Sequence, residues 1–289
     1  MAEPARRHPH GEEQEPDDEY PVFLHRWVER PDGSLELLEM PLTPEDFLDP
    51  QLEDQWVQGI PHSHTALYLF GLLDRHFGSE EEILVLFDTK LLLGPGLPGP
   101  APDLAVVFGA RGPDPEDVRS FNVIKQGVRP SLIIELVSDN AGLRRTDEVD
   151  KVKLYERVGI PEYLLLELPR KANRHQFRVK GFRLSPERRY RPLEPDAEGF
   201  LLSETTQLRF GTSEAGDRIE VFDARTGKKL LSPRELDQAW KTAEAARKAA
   251  EQGRQRAEKK AAQEEAAREA AEAELERLRA EIERLRSGR

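Results

Sequence analysis

In Pro130-Ser131-Leu132-Ile133-Ile134-Glu135-Leu136-Val137, five apolar side chains surround a single carboxylate. A short apolar run entered from a proline reads as a strand of the fully buried kind. Glu135 is then out of place. Carboxylates are almost never fully buried unless they are paired or bind a metal. The plainer alternative is a strand-end or edge glutamate that faces water.

The neighbouring segments supply the rest of a sheet. Downstream, Asp147–Val158 reads as a helix closed by Gly159 and stopped by Pro161, and Tyr163–Leu168 as the next strand. That crossover is long enough for a parallel pairing. Upstream lie short apolar runs at Ile83–Phe87, Thr89–Leu93 and Leu104–Phe108, broken by Gly94-Pro95-Gly96 and Pro98-Gly99-Pro100. A polar loop is expected from there to about Val128. Before these runs, Leu69, Leu72, Leu73 and Phe77 form one helical stripe over about Ser63–Phe77, with Gly78 as its cap. Thr43 precedes Pro44 as an N-cap precedes a first helical position. Tyr20–Met40 reads as a hairpin around Pro31-Asp32-Gly33. The fold class is therefore α/β (α+β), a mixed sheet core flanked by helices, over residues 20–231.

The two ends differ from this domain. Residues 1–19 are rich in charge and proline and too poor in apolar side chains to offset ordering entropy, so disorder is expected. From 232 to 289 the chain turns to Ala, Glu, Arg, Lys and Gln. Ser232 and Glu235 fit a capping box that opens a long C-terminal helix. Leu275, Leu278, Ile282 and Leu285 repeat as a heptad seam, so a coiled coil is expected in the last turns. Upstream the seam thins to Ala257, Ala261 and Ala271.

Composition narrows the chemistry. The 289 residues carry a net charge of -12 and no cysteine. Bulk acidity argues against a protein that coats nucleic acid. Without cysteine there is no disulfide, thiolate zinc site or cysteine nucleophile, which fits a reducing cytoplasmic setting. No apolar run approaches the roughly 20 residues that span a bilayer, so no membrane partner is expected.

Asp103 gives Glu135 a meaning. It follows Pro102 and opens the strand Leu104–Phe108. Paired strands lie about 4.8 Å apart, so two such carboxylates can share one hard cation, Mg2+ or Mn2+. A third group comes from the helix. Asp147, Lys151 and Tyr155 are spaced i, i+4, i+8 and share a face, whereas Lys153 points elsewhere. An exposed ion-pair row would have the same spacing.

Pro102-Asp103, Pro130 to Ser138, Asp147…Lys151…Tyr155 and Gly159-Ile160-Pro161-Glu162-Tyr163 together resemble the Uma-two family of restriction endonucleases, within the PD-(D/E)xK nuclease superfamily. The likeness spans roughly Met40–Leu231. It implies a restriction-endonuclease-like fold, with Asp103 and Glu135 as metal ligands, Mg2+ or Mn2+ as cofactor, and Lys151 near the attacking water. Val137 stands where the usual E-x-K lysine would be, and the resemblance implies that Lys151 of the next helix replaces it. His62 falls where the family has a histidine before its first core helix. Asp147 and Tyr155 are expected to support the site. Ser138-Asp139-Asn140-Ala141 replaces the usual SPST, and Glu167 an aspartate.

Arg170, Lys171, Arg174, Arg178 and Lys180 begin a basic stretch that runs to Arg191, with Glu187 its only acid and Phe177, Phe182 and Tyr190 interleaved. It reads either as a solvated strand face or as a contact strip for DNA backbone. His62 and His64 could be taken for zinc ligands, but no cysteine or further histidine stands near them. The leading expectation is a Mg2+-dependent DNA endonuclease that self-associates as a homodimer through its C-terminal helix. Two alternatives stay open. One is a catalytically silent scaffold assembling through that helix; the other is a metal-dependent phosphodiesterase acting on RNA or nucleotides.

Overall fold

The computed structural model describes residues 22–52, 54–56, 59–78, 82–111, 119–137, 141–168 and 176–287. The chain forms two compact units, Met1–Leu230 and Leu231–Arg289. The expected disorder of residues 1–19 and the basic residues Arg170, Lys171, Arg174 and His175 lie outside the described residues.

The first unit opens with a hairpin of β1 (Phe23–Glu29) and β2 (Leu35–Pro41), turning at Gly33 with a φ of 81°. Then come α1 (Pro44–Leu48), β3 (Gln55–Trp56), which pairs with β1, and α2 (Ile60–Phe77). Thr43 caps α1 in a full capping box with Asp46. Helix α2 starts three residues before the sequence pattern suggested, because Pro61 fits its first turn.

The central sheet has six strands in the order β11-β10-β9-β8-β6-β4. In chain order these are β4 (Ile83–Phe87), β6 (Leu104–Phe108), β8 (Leu132–Val137), β9 (Glu162–Glu167), β10 (Arg178–Leu184) and β11 (Tyr190–Pro192). Only β8 and β9 run parallel, as the helical crossover requires. The short β5 (Lys90–Leu92) leaves this sheet and pairs in parallel with β7 (Ser120–Asn122). The polar segment expected to be loop up to Val128 thus holds a strand and a helical turn, α3 (Val123–Gln126). Their few residues carry too little periodicity to be read from sequence.

The crossover from β8 to β9 begins earlier than the pattern from Asp147 suggested. It comprises α4 (Ala141–Arg145), a π-helical turn (Thr146–Asp150) and α5 (Lys151–Val158). Gly159 ends it in the left-handed conformation. A last antiparallel sheet follows, β12 (Leu201–Ser203), β13 (Leu208–Thr212) and β14 (Ile219–Asp223).

Alternation along β8 assigns its two faces. Leu132, Ile134 and Leu136 pack with α2 and the last sheet. Ile133 and Val137 pack with α5 through Leu154 and Tyr155. Glu135 shares their parity, so it points at α5. The second unit is α6 (Pro233–Ser287). Among the described residues, no helix is long and apolar enough to cross a membrane.

Candidate functional site

Strands β6 and β8 are antiparallel neighbours with Leu104 opposite Ile134, which puts Asp103 beside Glu135. Asp103 Oδ2 accepts the Leu136 N–H at 2.7 Å, and the Asp103 N–H lies 3.4 Å from Glu135 Oε2. Both carboxylates are buried, Glu135 almost completely at 2% exposure. Lys151 reaches in from α5. Its ammonium donates to Glu135 Oε1 at 2.9 Å and lies 3.0 Å from Asp147 Oδ1. Tyr155 donates its hydroxyl to the same Glu135 oxygen at 3.3 Å. The i, i+4, i+8 face expected from the sequence is thus one buried cluster, while Lys153 is exposed.

His62 at the start of α2 closes the other side, with Nε2 3.3 Å from Asp103 Oδ1. All six residues expected at or around the site therefore meet: Asp103, Glu135, Lys151, His62, Asp147 and Tyr155.

Three further residues belong to the cluster. Asp88 follows β4 at a φ of 44°, which aspartate tolerates better than most residues, and donates its N–H to the Asp103 carbonyl at 3.2 Å. Its signal was present in the sequence: a carboxylate bordering an apolar strand, after β4 here and before β6 at Asp103. Phe47 of α1 lies over Lys151, with the ammonium 4.2 Å from the ring centroid. Tyr163 of β9 donates to the Asp147 carbonyl at 3.0 Å. Neither of these two contacts has a local sequence signal, because each depends on how distant elements pack.

The electrostatics follow from crowding acids in a dry place. Burial raises the Glu135 pKa well above the usual carboxylate range, and the charges of Asp147 and Asp103 add to this against the pull of Lys151. Burial alone would discharge Lys151, but Asp147 and Glu135 outweigh it and keep the ammonium charged. Desolvation lowers His62, and the hydrogen bond and charge of Asp103 more than reverse that. Desolvation and the neighbouring Asp103 raise Asp88.

Four carboxylates therefore face one ammonium and one imidazole. Such a crowd of carboxylate oxygens suits a hard divalent cation, whose charge would favour the ionised form of Glu135 and which keeps waters of its own. Among the described residues, Glu135 Oε2 is given one contact, the Asp103 N–H at 3.4 Å. Among the described residues, no group of three or more His, Asp or Glu is placed so that it could hold a metal ion.

The basic strip looks different once folded. The described Lys180 pairs with Glu167, and its ammonium lies 3.5 Å from Glu148. Arg183 binds Glu162 and Glu204, and Arg189 binds Glu156. Acids from other elements meet the cations that sequence order left unpaired. Arg178 is exposed at the start of β10.

The family model Uma2, described as "Putative restriction endonuclease", matches residues 36–215. A crystal structure of "a putative nuclease belonging to DUF820" from Anabaena variabilis ATCC 29413 is similar at 15% identity and a TM-score of 0.36, over 54% of this chain and 87% of that one. No curated protein matches. The family model covers over half of the chain and includes every residue of the buried cluster, and the chain belongs to the Uma2 family.

Proposed function

We propose that this protein is a Mg2+- or Mn2+-dependent DNA endonuclease with Asp103, Glu135 and Lys151 as its catalytic residues. The observation that carries the reading is the side-by-side placement of Asp103 and Glu135 on β6 and β8, with the Lys151 ammonium 2.9 Å from Glu135. Asp103 and Glu135 would hold the cation, which supplies Lewis acidity to the scissile phosphate and its water. Lys151 is charged, so it donates rather than accepts a proton. Its role is to orient the attacking water and stabilise charge gathering on phosphate oxygen. His62 holds Asp103 in place, while Asp147 and Tyr155 hold Lys151 and Glu135. Arg170, Lys171, Arg174, Arg178 and Lys180 remain the proposed backbone contacts, with Lys180 having to exchange Glu167 for phosphate.

Plasmid cleavage with Mg2+ or Mn2+ tests this, comparing wild type with Glu135→Ala and Lys151→Ala. Cleavage by wild type alone is expected; equal cleavage by all three would remove the site. One observation favours a silent scaffold instead: Glu135, Asp147 and Lys151 satisfy one another in the interior, as a structural ion network would. That reading predicts no cleavage of DNA or RNA by any form and no metal-dependent rise in Tm.

Self-association through α6 as a homodimer completes the proposal. Light scattering on the full chain and on a form ending at Leu231 should give a dimer and a monomer. An unchanged oligomeric state after truncation would exclude this role for the helix.

A further inference from the structure

Helix α6 runs unbroken over 55 residues. Trp240 is 63% exposed along it, Leu275 52%, Leu278 51% and Ile282 52%. These side chains share one frame. Steps of four and three from Leu236 pass through Trp240 and reach Leu275, Leu278 and Ile282 without a skip. The positions between are mostly alanine, interrupted by Arg247, Arg254, Glu264 and Arg268. A seven-residue frame kept over such a length holds one face towards a partner helix throughout.

We propose that two copies pair through α6 in antiparallel orientation, in the register that sets Arg254 against the partner's Glu264. This orientation rests on the reading of α6 as a self-association helix. In this register Ile282 meets the partner's Leu236, Leu278 the partner's Trp240, and Leu275 the partner's Ala243. Arg247 and Arg268 fall opposite alanines. The only acid in the seam is thus matched by a cation, and every large apolar side chain from Leu236 to Ile282 is covered. A slide of one heptad spoils the match in either direction. One way carries Ile282 past the start of the partner helix; the other lays Leu278 on the partner's Arg247.

A parallel, in-register pair would set Arg247, Arg254, Glu264 and Arg268 each against its own copy. Its flanks are the better ones, with Lys260 near the partner's Glu265 and Glu274 near the partner's Arg279. The antiparallel flanks bring Glu251 towards the partner's Glu272. Flanking pairs face water and are weak, whereas charges in the seam lose water, so like pairs cost most there. The seam therefore decides the orientation.

The chain has no cysteine, so single introduced thiols report cleanly. Full-length Trp240→Cys and Leu278→Cys are prepared separately, sized by light scattering under reduction, then oxidised alone and as an equilibrated mixture. The expected result is dimers in solution and a covalent dimer only from the mixture. The flanking pair Glu244→Cys and Arg279→Cys repeats the test without touching the apolar seam. Covalent dimers from Leu278→Cys alone would establish the parallel arrangement and overturn the proposal, as would dimers that cross-link in no combination. A monomeric wild type would instead overturn the self-association reading itself.

Discussion

Lys151 shows how a single position can carry both stability and chemistry. A buried ammonium is tolerated only because Glu135 and Asp147 flank it and the Phe47 ring faces it. Lys151→Met leaves two buried carboxylates without their cation. We expect it to abolish cleavage and to lower stability by roughly 3–5 kcal/mol in urea unfolding. Lys153→Met, on the exposed side of the same helix, should change stability by no more than about 0.5 kcal/mol. Similar losses for both would contradict the burial of Lys151. Metal binding has its own readout: Mn2+ should raise the Tm of wild type but not that of Asp103→Asn. A matching rise in the variant would remove Asp103 from the ligand set.

At the scale of elements, the end of α5 and the docking of sheets are the sensitive places. Gly159 sits at a φ of 77° with Arg129 and Arg188 packed where a Cβ would go. Gly159→Ala should cost about 1 kcal/mol, measured by urea unfolding, because the left-handed turn resists a side chain, while the guanidinium ends of Arg129 and Arg188 can move aside. Glu162 opens β9 and is fully buried. It accepts from Arg183 at 2.8 Å, Thr205 Oγ1 at 2.6 Å and the Glu204 N–H at 2.9 Å, tying the central sheet to the segment after β12. Glu162→Ala leaves the Thr205 and Glu204 donors unmet, while Arg183 keeps Glu204 and the Leu202 carbonyl, and a loss of roughly 1–3 kcal/mol is expected.

Asp49 ties the end of α1 to β5. Partial burial raises its carboxyl, but Lys90 Nζ at 2.9 Å and the Gly99 N–H at 3.0 Å outweigh this and hold it below the usual range. Its folded pKa is depressed, so its stabilisation is present above the unfolded value of about 3.9 and is lost as pH falls through the folded one. Denaturation midpoints of wild type and Asp49→Asn should therefore converge as the solution is acidified from pH 6 towards pH 3. A gap that stays constant would show that Asp49 does not titrate in this way.

For the whole molecule, the site depends on the mixed sheet bringing three distant segments together. Asp103 and Glu135 meet only because β6 and β8 are neighbours, and Lys151 arrives only because the crossover returns over that face. The net charge of -12 makes DNA approach unfavourable away from local cations. Cleavage should therefore slow as salt rises, through loss of backbone contacts. A salt-independent rate between 50 and 200 mM would argue that no cationic strip takes part.

Much of this was determined by local sequence. Apolar runs and their proline and glycine borders mark β4, β6 and β8 because buried strands must be apolar and turns need special backbone. The spacing Asp147, Lys151 and Tyr155 selects one helix face because helical geometry repeats, and it survives the π-helical turn. A charge inside SLIIELV announces itself because burying it alone is too costly. Tertiary structure decided what local pattern cannot encode. It placed Phe47 and Tyr163 against the cluster, moved β5 out of the central sheet, and brought acids from α5, β9 and beyond to the basic stretch. Those outcomes depend on which elements pack together, and packing is set by contacts between residues far apart in the chain.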